Sequence, residues 1–118
     1  MLRPNADLSV YLYSGVVDMR KSIDGLSALV EQELELSPMN GTLFVFCNRA
    51  RDKIKMLYWE RNGFVLWYKR LEKQRFKWLR EAQSGSLPVT GYQLNLLLDG
   101  LDIFNNVPHE ALFYTSIT

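Results

Sequence analysis

The feature that most constrains the fold is a pair of aromatic and β-branched runs, Lys53 to Glu60 and Phe64 to Glu72, on either side of Arg61-Asn62-Gly63. Asn-Gly between two such runs is a strong hairpin signal, because both residues accept the positive φ of a tight turn. Taking Asn62-Gly63 as the two-residue loop predicts that Arg61 faces Phe64, Trp59 faces Leu66, Leu57 faces Tyr68, Lys55 faces Arg70 and Lys53 faces Glu72. The other face then pairs Tyr58 with Trp67, Met56 with Lys69 and Ile54 with Leu71. Neither face is wholly apolar.

The elements before the hairpin are legible from composition and period. Val10 to Tyr13 is a short β-prone run closed by Ser14-Gly15, giving a strand from about Ser9 to Tyr13 with Val16-Val17 as an extended lead. Asp18 sits where a helix N-cap belongs. Met19, Ile23, Leu26, Val30 and Leu34 follow at helical spacing, which predicts a helix near residues 18–35 with one buried stripe. Ser37-Pro38-Met39-Asn40-Gly41 stops it. Leu43 to Cys47 is apolar throughout, the pattern of a strand covered on both faces and so central in its sheet.

After the hairpin, residues 73 to 87 turn basic and then small and polar, an excursion or loop with Trp78 as an anchor. Thr90 and Gln93 have capping-box spacing, and Leu94, Leu97, Leu98 and Leu101 form a stripe with Gly100 as a stop, predicting a helix near 90–100. The expected fold is α+β: a mainly antiparallel sheet of about four strands, including the 53–72 hairpin, with the helices on one face. The 118 residues form one domain, in which 103–118 either docks as an extended arm or stays loose.

Charge is distributed unevenly. Residues 49–81 contain eleven Lys and Arg against four Asp and Glu, a net of +7, while residues 1–48 and 82–118 each carry −3. All three tryptophans lie in the same central segment. Cations neutralise phosphates, and exposed aromatic rings stack on unpaired bases. The candidate nucleic-acid contacts are Arg49, Arg51, Lys53, Lys55, Lys69, Arg70, Lys73, Arg75 and Lys77, with Trp59, Trp67, Tyr68 and Trp78 as stacking or interface residues. Lys55 opposite Arg70 would be a repulsive pair that an anion relieves. The bland alternative is that the aromatic residues are core and the charges a solvated face.

Other chemistry finds little support. One Cys and one His cannot make an ordinary zinc site. Cys47 lies inside an apolar strand, so a Cys47–His109 nucleophile pair is disfavoured. The carboxylates Asp18, Asp24, Asp52 and Glu60 have no nuclease spacing, and the first, third and fourth are better explained as a cap, a turn residue and a hairpin-end charge. The glycines form no phosphate-cradling motif. No catalytic residue, metal or cofactor is expected, no hydrophobic run approaches a membrane span, and the single cysteine suits a reducing cytoplasm.

Two long motifs carry a family resemblance. Asp18-Met19-Arg20-Lys21-Ser22-Ile23-Asp24-Gly25-Leu26 resembles a signature of the second-open-reading-frame (TnpB-type) proteins of the IS-sixty-six group of bacterial insertion sequences, which are unrelated to the RNA-guided nucleases that share the TnpB label. Leu57-Tyr58-Trp59-Glu60-Arg61-Asn62-Gly63-Phe64 with Trp67-Tyr68-Lys69-Arg70-Leu71-Glu72 is similar to a second signature of that family. The resemblance covers about residues 8 to 102. It implies a non-catalytic accessory protein for transposition, encoded beside a larger transposase, with no catalytic residues to carry over. The chain departs from the family pattern at Gln74 (Gly expected), at Leu79 (Pro expected) and in its tail from Ile103. The implied partners are the DNA of insertion-sequence ends and the transposase of the same element. The alternative is a protein-interaction module that docks on the transposase or a second copy of itself without touching DNA.

Overall fold

The computed structural model describes residues 4–79 and 86–104. Among them five strands make one sheet: β1 (Ser9–Val16), β2 (Leu43–Cys47), β3 (Lys53–Glu60), β4 (Gly63–Arg70) and β5 (Ser86–Thr90). Their spatial order is β4-β3-β2-β1-β5. The pair β1–β2 is parallel and the other three pairs are antiparallel. The parallel pair follows from the chain between its members, since a helix is the ordinary crossover connecting parallel neighbours. The α+β reading stands, with one more strand than expected.

β2 is the middle strand, and all five of its residues are buried. Its alternating side chains divide the core in two. Leu43, Val45 and Cys47 join Val10, Leu12, Ile54 and Met56 beneath the second helix, α2 (Gly91–Leu98), with Leu94, Leu97 and Leu98. Phe44 and Phe46 join Leu57 and Val17 beneath the first helix, α1 (Ile23–Leu29), and its π-helical continuation Val30–Leu34, with Leu26 and Val30. The helices therefore cover opposite faces, not one. A central strand apolar on both sides requires this, because either face left bare would expose buried-type side chains to water.

The hairpin has the expected strands and faces but a different register. Trp59 pairs with Phe64, Leu57 with Leu66, Lys55 with Tyr68 and Lys53 with Arg70, while Met56 pairs with Trp67 and Ile54 with Lys69. The loop is Arg61-Asn62, one residue earlier than expected, and Arg61 takes the positive φ of 58°. Moving a two-residue loop by one position shifts each partner by two, so every side chain keeps its face and changes its neighbour. The predicted opposition of Lys55 to Arg70 is thereby overturned: Lys55 faces an aromatic ring.

Three further expectations are corrected. Asp18 does not cap α1, which begins after Ser22. Its carboxylate instead accepts from the Arg20 backbone N–H at 2.8 Å and from the Arg20 guanidinium, closing a turn before the helix. Leu101 is 52% exposed, because α2 has already ended. Gly100, at φ +90°, and Leu101 donate back to Leu97 and Leu96 in a Schellman closure that turns the chain away. Residues 86–90, read as loop and helix start, form the edge strand β5. Pro88 lies opposite Tyr11, a position tolerable because an edge strand leaves one side unpaired. The Thr90–Gln93 capping box is present as expected. His109 and the tail beyond residue 104 lie outside the described residues.

Candidate nucleic-acid interface

Strand direction decides where the cations gather. β1 and β2 run parallel, β3 runs against β2 and β4 against β3. The ends of β1 and β2, the start of β3 and the end of β4 therefore share one end of the sheet. The turn after Val16, the turn 48–52 and the segment after Arg70 all lie there. The hairpin turn with Glu60 and Arg61 lies at the opposite end.

Asn48 builds the 48–52 turn. Its side-chain carbonyl accepts from the Asp52 and Lys53 backbone N–H groups at 3.1 and 3.0 Å, and its amide donates to the Asp52 carboxylate at 2.7 Å. That amide holds the Asp52 carboxyl below its ordinary pKa. Arg51 takes φ +64° and Arg49 is left exposed. The following segment is stitched to this turn: Leu71 donates to the Asp52 carbonyl at 2.8 Å and Phe76 to the Arg51 carbonyl at 2.7 Å. Phe76 and Leu79 are buried in the α2-side core. Lys73, Arg75 and Lys77 remain exposed, and with Gln74 and Gly100 they line a cavity of about 450 Å³.

The nine candidate cations separate into three kinds. Lys55 and Lys69 are committed to the fold. The Lys55 ammonium donates to the Met19 and Lys21 carbonyls at 2.7 and 2.8 Å, and Lys69 donates to the Leu98 carbonyl at 3.1 Å, at the negative end of α2. Arg51 is also drawn inward, beside the Cys47 thiol, with one guanidinium nitrogen buried and lacking a hydrogen-bond partner among the described residues. Lys53 and Arg70 face each other across the ladder, each beside its own carboxylate: Asp52 at 3.5 Å and Glu72 at 2.9 Å. Arg49, Lys73, Arg75 and Lys77 are exposed and make no ion pair among the described residues.

The aromatic candidates separate as well. Trp59 packs edge-on against Phe64 at 5.0 Å, near the hairpin turn. Trp67 packs on the α2-side core, and Trp78 donates its indole N–H to the Tyr13 carbonyl at 3.1 Å, which makes it the expected anchor. Tyr68 is half exposed and lies at the basic end, where it lines an open groove of about 740 Å³ with Met19, Arg20, Asn48, Arg49 and Lys53. Sequence reasoning missed Arg20 and Asn48. The Asp18-to-Leu26 motif contains Arg20, but only the fold brings that turn beside residues 48–53.

Two further titratable groups, Cys47 and Asp18, are shifted by their surroundings. Burial pushes the Cys47 thiol up to about 11, an unreactive state. Asp18 is held at about 2, first by its hydrogen bond from the Arg20 side chain. Among the described residues, no three His, Cys, Asp or Glu side chains gather as metal ligands, and no helix is long and apolar enough to cross a membrane.

Residues 8–107 match the model of a family described as IS66 Orf2 like protein. The chain is 34% identical over 102 residues to the uncharacterized protein y4hO of Sinorhizobium fredii, covering 86% of this chain and 88% of that one. A second protein of that organism, the uncharacterized y4jC, is 32% identical over 102 residues, 86% of each chain. No solved structure matches.

Proposed function

Because the chain belongs to the IS66 Orf2-like family, we propose that it is a non-catalytic accessory factor for transposition of an insertion sequence, and that it contacts the element's DNA through the basic end of its sheet. It acts in the bacterial cytoplasm beside the transposase. The observation that carries the reading is the convergence at that end of Arg49, Lys53, Arg70, Lys73, Arg75 and Lys77 from the 48–52 turn, the hairpin's open end and the segment following it. Clustered exposed cations attract phosphate and release condensed counterions when they bind it.

The test is salt dependence. Binding to a labelled duplex carrying the element's end is measured across a salt series. The reading expects log affinity to fall linearly with log salt, with a slope of about −0.9 for each phosphate neutralised. Binding that is absent at low salt refutes it.

One observation favours a second reading, docking on the transposase or on another copy. Among the described residues β4 is an eight-residue edge strand with no proline, carrying Phe64, Val65, Leu66 and Trp67. Such an edge accepts a further strand readily. Co-purification with the transposase in the absence of DNA, lost on Leu66→Pro, identifies that role.

A further inference from the structure

The groove beside β3 and β4 combines features that a duplex-binding surface does not need. It is lined by residues 16–20, by Asn48, Arg49, Ala50 and Lys53, and by Tyr68 from the outer strand. Tyr68 is 49% exposed, with the Lys55 ammonium 5.7 Å from its ring centroid. Lys55 is itself fixed by the Met19 and Lys21 carbonyls, so the lysine is held between the ring and the turn. Arg20 is offset by Asp18, which pairs with it at 2.6 Å and also lines the groove, so the positive charge there comes from the exposed Arg49 and from Lys53. Its volume of about 740 Å³ falls within the ~300–1,000 Å³ typical of ligand sites.

Within a duplex each base face is covered by its neighbours and only edges are offered to a protein. An aromatic ring among phosphate-binding cations meets a base face only where the strand is unpaired, and that pairing of ring and cations is the common platform for single strands. We propose that this groove is a single-stranded DNA site, in which a base stacks on Tyr68 while Arg49 and Lys53 take the flanking phosphates. This deepens the DNA-contact reading above and rests on it. The cations at Lys73, Arg75 and Lys77 lie along a separate cavity and serve duplex and single strand alike.

The experiment compares a labelled single strand of about 12 nucleotides with the duplex of the same sequence, by fluorescence anisotropy on the full chain. Tyr68→Ala is expected to weaken single-strand binding roughly 5- to 150-fold, the range for losing one stacked base, and to leave duplex binding within about twofold. Tyr68→Phe keeps the ring and retains affinity. Tyr68→Leu keeps apolar bulk against the Lys55 stem without a π face, and loses affinity like Ala. An equal loss on both DNAs, no loss on either, or a Phe variant as weak as Ala overturns the stacking site. Salt-sensitive duplex binding without single-strand binding overturns it alone. If wild type binds neither DNA, the underlying DNA-contact reading falls with it.

Discussion

Replacing Lys55 by Met separates a structural cation from a DNA-binding one. Met keeps much of the apolar stem and removes the ammonium. The structure gives that ammonium two hydrogen bonds, to the Met19 carbonyl at 2.7 Å and the Lys21 carbonyl at 2.8 Å, together with its position over Tyr68. A hydrogen bond with a charged partner contributes about 1.5–3 kcal/mol net. The Lys21 carbonyl is exposed and can turn to water after the change, so the two bonds do not add in full. The expected loss is about 2 kcal/mol. With a urea slope of about 1.5 kcal/mol/M, the unfolding midpoint falls by about 1.3 M with the slope unchanged. The assay is equilibrium urea denaturation followed by tryptophan fluorescence, together with DNA binding under folding conditions. A midpoint unchanged within about 0.3 M, with DNA affinity falling instead, would show that Lys55 is a free cation recruited by phosphate, and would refute its role as a brace between β3 and the 18–22 turn.

Three other predictions concern the frame around the site. Arg61→Gly is expected to stabilise the protein by about 0.5–1 kcal/mol, since Arg61 holds φ 58° without the freedom glycine has there; thermal unfolding checks it. Gly91→Ala would place a Cβ onto the Asn5 carbonyl. It is expected to cost about 1–3 kcal/mol and to speed hydrogen exchange at Gly91 and Tyr92, whose N–H groups donate to Leu8 and Ala6. Asp18 has a folded pKa of about 2, below the ordinary 3.8, so its ionised form stabilises the fold above about pH 4 and that contribution is lost as pH falls through 2. A carboxyl NMR titration should give a midpoint near 2, and Arg20→Ala should raise it.

Much of the frame was legible because it depends on local pattern. The unbroken apolar run Leu43 to Cys47 announced a strand with two covered faces, yet the helices were expected on one side of the sheet, and it is the second covered face that requires one on each. The Thr90–Gln93 box placed the start of the second helix to the residue. What escaped depended on long-range geometry or on a single strained residue. The hairpin register turned on Arg61 accepting a left-handed conformation that glycine would take more cheaply. Leu79, at a position where the family pattern expects Pro, is a buried core residue, which reflects how the 71–79 segment is folded against the sheet. β5 contains Pro88 and forms only because β1 offers an edge.

The candidate site was legible as a composition and not as a surface. The excess of +7 in residues 49–81 was visible, and strand direction concentrates it at one end. Nothing local to Lys55 or Lys69 reveals that the carbonyls of Met19, Lys21 and Leu98 hold their ammonium groups. Those three bonds join residues 29 to 36 positions apart, beyond the reach of spacing rules. The same geometry explains why Trp67 and Trp78 are committed to packing while Tyr68 stays half exposed.

The most direct test of the basic end compares two variants of the full chain in the duplex salt series. One carries Arg49→Ala, Lys73→Ala, Arg75→Ala and Lys77→Ala, all exposed cations outside the described hydrogen bonds. The other carries Arg61→Ala at the opposite end of the sheet. The account predicts that the first keeps its fold and loses about 3 to 4 from the magnitude of the log–log slope, at about 0.9 for each phosphate contact removed, while the second keeps the wild-type slope. A four-alanine variant that binds DNA with an unchanged slope would contradict it.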